Sequence, residues 1–189
     1  MADENLLSGL LRTRRLNRDV SAGEWVEHDS GLRRYEDSFG RLLAKQGYGS
    51  LRRYIEERKE QGRNVFGVNL AGQGVVLREL GIDGVSVSLE DEAGNEMHIR
   101  GDIVSKTIWS EIKDKLNGKK VDVVLFRPRF GLKRIINDEK IWGFLANQAW
   151  SLISDGGMIL AELVYKSTPD FKPIPRMMEW LAGVEKCQG

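Results

Sequence analysis

The chain has 189 residues, and its 29 basic and 28 acidic side chains leave a net charge of +1, which excludes a strong overall attraction to nucleic acid. Hydrophobic residues make up 41% and charged residues 30%, as is typical of a folded globular domain. No apolar run approaches the ~20 residues of a membrane span, and the N-terminus lacks the pattern of a secretory signal. With one cysteine and two histidines, no disulfide framework and no metal site are expected. We therefore expect a cytoplasmic protein.

The first third of the chain carries helical patterns. Apolar residues recur at helical spacing in three segments, 5–18, 32–46 and 51–61. Ser50 is predicted to cap the third helix, because a serine hydroxyl can accept from an N–H group of the first turn. We expect residues 1–62 to form an N-terminal helical extension of a domain that spans 63–189.

From Asn64 onward, predicted strands alternate with predicted helices. The strands are predicted at 65–70, 85–89, 96–100, 121–126 and 158–163, with turns at 81–84 and 155–157. Trp142 and Trp150 lie eight residues apart on a long helix that begins near 138, and they are predicted to share its buried face. The alternation predicts an α/β fold with three layers, in which helices cover both faces of a mostly parallel sheet of about five or more strands.

The carboxyl ends of such strands are where ligands bind in open parallel sheets. The first strand runs into Gly72-Gln73-Gly74, and a short helical pattern follows. Glycines let the backbone approach a ligand closely, and a helix N-terminus offers N–H groups to it. A tight connection between a strand and a helix explains the same two glycines equally well. Taken alone, this turn leaves both readings open.

Taken in order, the five strand ends resemble those of the class I S-adenosylmethionine-dependent methyltransferases, over roughly residues 64–163. The resemblance implies a Rossmann-like fold, S-adenosylmethionine as cofactor and a methyl acceptor that the sequence does not name. It implies cofactor contacts from the glycine turn, from Glu90 (or its neighbour Asp91) after the second strand and from the residues after the third. These cofactor-binding candidates are Asn69, Ala71, Gly72, Gly74, Glu90, Asp102 and Ile103.

The glycine turn also departs from the pattern of that family. Gly67 or Val68 stands where the family usually has an acid that helps to hold the turn, and Leu70 stands in place of an earlier glycine. The two further strands that the family usually has after the fifth strand find little room in the 26 residues after Leu163. A catalytically inactive methyltransferase-like binding or scaffold domain is therefore the alternative hypothesis.

The loop after the fourth strand supplies the substrate-binding candidates, Arg127, Pro128 and Arg129. Arginine forks suit carboxylate and phosphate groups, so one hypothesis is an anionic substrate. The other is a solvated basic loop that pairs with Asp138 and Glu139. No catalytic residue is assigned, because methyl transfer from an activated sulfonium mainly requires alignment of donor and acceptor. A nicotinamide-dependent oxidoreductase is a third possibility, but the full glycine fingerprint of that class is absent.

Overall fold

The structure, a computed structural model, describes residues 31–127 and 138–161. The predicted helix at 5–18 and the candidates Pro128 and Arg129 lie outside these residues. In chain order the elements are α1 (Leu32–Lys45), α2 (Leu51–Glu60), β1 (Phe66–Leu70), α3 (Val75–Glu79), β2 (Asp83–Ser88), β3 (His98–Arg100), α4 (Lys106–Leu116), β4 (Val121–Phe126), α5 (Glu139–Leu152) and β5 (Ile153–Ala161).

The five strands form one sheet in the order β3-β2-β1-β4-β5, and every neighbouring pair is parallel. This confirms the predicted α/β fold with a parallel sheet. After β1, the next two strands, β2 and β3, lie on one side of it, and β4 and β5 lie on the other side. The strand order therefore reverses between β1 and β4, and a crevice at this point is the usual ligand site of such sheets.

Buried apolar side chains form one core cluster on each face of the sheet. One cluster joins α4 and α5 to the sheet, with Trp109 and Trp142 as its largest members. The other joins α1, α2 and α3 to the opposite face, where Leu43 and Tyr54 pack with Val123 of the sheet. The two helices α1 and α2, which belong to the predicted N-terminal extension, thus bury their apolar faces directly against the sheet.

Helix α2 is attached to the amino ends of the strands by a buried ion pair. The predicted cap of this helix is confirmed, since the N–H group of Arg53 donates to Ser50 Oγ over 3.0 Å. Near its other end, Arg58 Nη2 lies 2.6 Å from Asp122 Oδ1, and both side chains are almost fully buried. The other carboxylate oxygen, Asp122 Oδ2, accepts from the N–H group of Phe66 over 3.1 Å. One carboxylate therefore holds α2, β1 and β4 together.

Tyr54 extends the same attachment. Its hydroxyl donates to the carbonyl oxygen of Asp122 over 2.9 Å, and its ring packs edge-on against Tyr48. Burial is the main cause that raises the pKa of Tyr54 to about 12, while the charge of Arg58 opposes the rise and that of Asp122 adds to it. The hydroxyl is therefore neutral throughout the physiological range, as a hydrogen-bond donor must be.

Two predicted turns are wrong in part, because a strand begins inside the first and another strand runs through the second. Strand β2 begins at Asp83, inside the predicted turn 81–84, and β5 begins at Ile153, before the predicted turn 155–157. In β5 the cause is a bulge. Val121 pairs with Ile153, but Val123 pairs with Met158, so extra residues of β5 bulge out without ending the strand.

The prediction that Trp142 and Trp150 share a buried face is also wrong. Trp142 is 4% exposed, whereas Trp150 is 47% exposed. At 3.6 residues per turn, eight residues bring the side chain about 80° away from its starting direction. The buried face of α5 is instead formed by Trp142, Leu145, Ala146, Ala149 and Leu152.

Candidate functional site

The glycine turn lies at the point where the strand order reverses. Leu70, the last residue of β1, is paired with Val87 on one side and with Phe126 on the other. After it, Ala71 adopts the left-handed region with φ of 60°, a conformation that is uncommon for a residue other than glycine. The N–H group of Gly72 then donates to the carbonyl oxygen of Val87 over 3.0 Å. The turn is therefore fastened to the end of β2.

Asn69 holds this turn from inside. Its side chain is fully buried, and its Nδ2 donates to the carbonyl oxygen of Gln73 over 2.7 Å. Its Oδ1 accepts from the hydroxyl of Tyr35 on α1 over 3.0 Å. Val68, in contrast, packs in the apolar core on the opposite face of the sheet. The amide of Asn69 therefore ties the glycine turn to the end of β1 and to α1.

Side chains of the chain itself pack closely against both glycines of the turn. A Cβ atom at Gly72 would lie 2.6 Å from Asn69 Nδ2 and 2.8 Å from the hydroxyl oxygen of Tyr35. A Cβ atom at Gly74 would lie 2.5 Å from Asn95 Nδ2. These separations are shorter than real Cβ contacts, so a side chain at either position forces neighbouring groups to move. The sequence pattern located the turn correctly, but it did not indicate which groups of the chain pack on it.

Glu92, in the segment between β2 and β3, places its carboxylate directly against the turn. Its Oε2 accepts from the N–H group of Gly74 over 2.7 Å and from Asn95 Nδ2 over 2.9 Å. Its Oε1 lies 2.6 Å from Arg78 Nη1. Only 8% of the Glu92 side chain is exposed. Sequence reasoning missed this residue, because nothing in the run Glu90-Asp91-Glu92 shows which carboxylate turns back toward α3.

Ser86 and His98 lie beside Glu92, yet they do not form a nucleophilic triad. Ser86 Oγ lies 2.8 Å from His98 Nδ1, and His98 Nε2 lies 2.7 Å from the carbonyl oxygen of Glu90. A carbonyl only accepts, so Nε2 carries a hydrogen and the Nδ1 of a neutral ring accepts from Ser86. Glu92 also faces Nδ1, at 3.4 Å, rather than the far nitrogen as in a Ser-His-acid relay. Ser86 is moreover buried, so we assign this group a structural role.

The ionised state of Glu92 is expected to stabilise the fold. Burial alone raises its pKa, but the hydrogen bonds from Gly74, Arg78 and Asn95 and the charge of Arg78 outweigh burial and hold the pKa below its usual value. A lowered pKa in the folded state means that the stabilisation is complete above the unfolded-state pKa and is lost as pH falls through the folded-state value. Glu92→Gln is expected to lower the free energy of unfolding at pH 7 by about 1 to 3 kcal/mol.

Urea unfolding of the wild type and of Glu92→Gln between pH 7 and pH 3 measures this effect. The difference in stability is expected to start shrinking as the pH falls below the ordinary glutamate pKa of 4.5, because the unfolded chain then takes up a proton that folded Glu92 resists, and to be lost as the pH falls through the lower folded-state pKa. Glu96→Gln is the matched control, since Glu96 is exposed in the same segment of the chain. A Glu92→Gln difference that stays constant over the whole pH range contradicts the assignment.

The other predicted cofactor contacts lie at the ends of β2 and β3. Glu90 is exposed, and its N–H group donates to Ser88 Oγ over 3.2 Å. Asp102 is half-buried, and its Oδ1 accepts from the N–H group of Val104 over 3.1 Å. The buried Ile103 is fixed through its carbonyl oxygen, which accepts from Trp109 Nε1 over 2.7 Å. The structure thus brings the glycine turn, Glu90 and Asp102 to one edge of the sheet, after adjacent strands.

A small apolar cavity lies beneath this edge, on the side of α5. Its volume of about 20 Å³ holds roughly one molecule of the size of water, far less than an aromatic ring needs. Strands and α5 supply most of its wall, and the loop before α4 supplies the remainder. The lining residues are Leu70, Ile103, Val124, Phe126, Trp142, Leu145, Ala146, Ala149, Ile159 and Ala161.

Arg127, the first residue after β4, is turned toward α1. Its Nε donates to Ser38 Oγ over 3.1 Å, and its guanidinium carbon lies 5.9 Å from the centre of the Tyr35 ring. Tyr35, which Arg127 faces, also donates through its hydroxyl to Asn69 at the end of β1. Asp138, which the sequence suggested as a partner for the basic loop, caps α5 by accepting from the N–H groups of Lys140 and Ile141.

No protein-family model matches the sequence, and a search of curated proteins finds no relative. Within residues 31–127 and 138–161, His, Cys, Asp and Glu side chains form no group of three or more that could hold a metal ion. The helices of this same part of the chain include none with the length and apolar character needed to cross a membrane.

Proposed function

We propose that the chain binds S-adenosylmethionine at the carboxyl edge of its sheet and transfers the methyl group to a substrate still to be identified. One observation carries the proposal. The parallel order β3-β2-β1-β4-β5 places the glycine turn at the reversal of strand order, with Glu90 and Asp102 after the two strands on one side and Arg127 on the other. Ligands of open α/β sheets bind in this crevice.

Within the proposal, each part of the edge has a different task. The backbone at Ala71, Gly72 and Gly74 lies against the methionine end of the cofactor, and Glu90 accepts from its ribose hydroxyls. Asp102 has one carboxylate oxygen engaged with Val104, which leaves the other to accept from the amino group of adenine. The sulfonium is already an activated methyl donor, so the chain contributes alignment and exclusion of water.

The second candidate is a methyltransferase-like domain that binds a partner but does not catalyse. It is favoured by a specific observation, which is that side chains of the chain itself pack against the glycine turn. Tyr35 and Asn69 lie against Gly72, while Glu92 and Asn95 lie against Gly74. If the domain does not catalyse, these side chains stay packed against the turn, and the turn has only a structural role.

Calorimetric titration of the purified chain with S-adenosylmethionine and S-adenosylhomocysteine tests the proposal. Measurable binding is expected, and Asp102→Ala is expected to weaken it by about 10-fold to 100-fold, the effect of losing a hydrogen bond to a charged group. Asp114→Ala is the matched control, because Asp114 is an exposed aspartate on α4. Dissociation constants weaker than about 1 mM for both compounds exclude the enzyme and leave the non-catalytic domain.

A further inference from the structure

The carboxylate of Glu92 joins the segment between β2 and β3 to the glycine turn. This segment, residues 89–97, is called the β2–β3 loop below. From the loop, Glu92 reaches the N–H group of Gly74 at 2.7 Å and the guanidinium of Arg78 at 2.6 Å. Ser86 Oγ at 3.3 Å and His98 Nδ1 at 3.4 Å complete its polar surroundings.

The close approach of the loop depends on the missing side chain at Gly74. A Cβ atom there would lie 3.3 Å from Glu92 Oε2 and 2.5 Å from Asn95 Nδ2. Asn95 in turn donates to Glu92 over 2.9 Å, so two side chains of the loop converge on one backbone position. The N–H group of Gly74 belongs to the backbone that lies against the cofactor in the proposed function, and it is occupied by a carboxylate of the same chain.

We propose that the Glu92 carboxylate is an autoinhibitory latch, which holds the β2–β3 loop on the glycine turn and must be released before the cofactor binds. The proposal rests on the proposed function, because it concerns access to the same turn. A single N–H group donates one strong hydrogen bond, so Glu92 and a ligand compete for Gly74. Release costs free energy, and the apparent affinity for the cofactor falls by the fraction of molecules in which the turn is free.

Arg78 is the cation that keeps the latch closed. It lies on α3 next to Gly74 and pairs with Glu92 Oε1, while 58% of its own side chain is exposed. Among the described residues, Arg78 is the permanently charged cation that pairs with Glu92. His98 also lies near Glu92 but is a cation only when its ring is protonated. Replacing Arg78 is therefore expected to loosen the latch while the carboxylate stays in place.

The test is the affinity for S-adenosylhomocysteine of the wild type, Glu92→Ala, Arg78→Met and Glu96→Ala. Glu92→Ala is expected to bind at least about 10-fold more tightly than the wild type, and Arg78→Met to fall between them. Glu96→Ala, an exposed glutamate of the same loop, is expected to match the wild type. Faster hydrogen exchange at the Gly74 amide in Glu92→Ala reports that the latch has opened.

The outcomes separate the latch from the proposed function. The latch is overturned if the wild type binds S-adenosylhomocysteine and both Glu92→Ala and Arg78→Met bind it equally well or more weakly. That result leaves the cofactor site standing. Binding by neither the wild type nor the variants overturns the cofactor site and the latch together. Should Glu92→Ala fail to fold, the affinity of Arg78→Met decides between these results.

Discussion

Asp122→Ala is expected to lower the free energy of unfolding by about 3 to 5 kcal/mol, the cost of leaving a buried charge without its partner. The substitution strands the buried guanidinium of Arg58, whose Nη2 lies 2.6 Å from Asp122 Oδ1. It also removes the acceptor for the N–H group of Phe66 at the start of β1. Ser154 on β5 loses an acceptor as well. Helix α2 and strands β1 and β5 therefore all lose their hydrogen bonds to one carboxylate. Equilibrium unfolding in urea measures the effect.

Two further variants show whether the ion pair is the cause. Arg58→Met combined with Asp122→Ala is expected to cost less than the sum of the two single variants, because neither charge is then left alone. Arg53→Met on the same helix is the matched control, since Arg53 pairs with Glu57 at the surface and is expected to change stability by less than about 1 kcal/mol. Equal costs for Arg53→Met and Arg58→Met contradict this account of α2.

Gly84→Ala is expected to lower the free energy of unfolding by about 1 to 3 kcal/mol, which is the usual cost of overpacking a core. Gly84 on β2 is paired with Gly67 on β1. A Cβ atom at Gly84 would lie 1.9 Å from the carbonyl oxygen of Gly67. Since the obstructing atom belongs to the backbone, β2 and the central strand β1 must move apart to admit a methyl group. Thermal or urea unfolding of the variant measures the cost.

Gly40→Ala is the matched control for this substitution. Gly40 lies inside α1, and apart from its chain neighbours and the nearby backbone of that helix, no atom of the described part of the chain lies within 4 Å of a Cβ atom built there. An alanine in the interior of a helix stabilises it by about 0.5 to 1 kcal/mol relative to glycine. The same chemical change is therefore expected to have opposite signs at the two positions. Destabilisation of similar size at both sites contradicts the close approach of β1 and β2.

The order of the elements could be predicted because strong local patterns mark them. Strand β4 is apolar after its aspartate, and its bounds, Val121–Phe126, agree with those predicted from the sequence. The start of β5 could not be predicted, because a glycine pair reads as a turn unless the pairing with β4 is known. Trp150 shows another limit. Helical periodicity gives the direction of a side chain only to within a wide sector, and the position of the sheet decides which side chains are buried.

The position of the candidate site could be predicted only from residues close to the strand ends. Gly72 and Gly74 mark the turn after β1, and Asp102 lies two residues after the end of β3. The groups that pack on the turn come from distant parts of the chain: Glu92 lies 18 residues after Gly74, and Tyr35 lies 34 residues before Asn69. No local spacing rule connects such residues, since the contacts exist only once α1 and the β2–β3 loop have packed on the sheet.

Nuclear magnetic resonance of the amide groups, with and without S-adenosylhomocysteine, tests the central claim most directly. The account predicts shifts at residues 71–74, at Glu90 and at 102–103, along the carboxyl edge of the sheet. It predicts unchanged resonances around Arg58 and Asp122, which lie at the opposite edge. An unchanged spectrum at about 1 mM ligand, or shifts confined to the amino edge, would show that this edge of the sheet does not bind the cofactor.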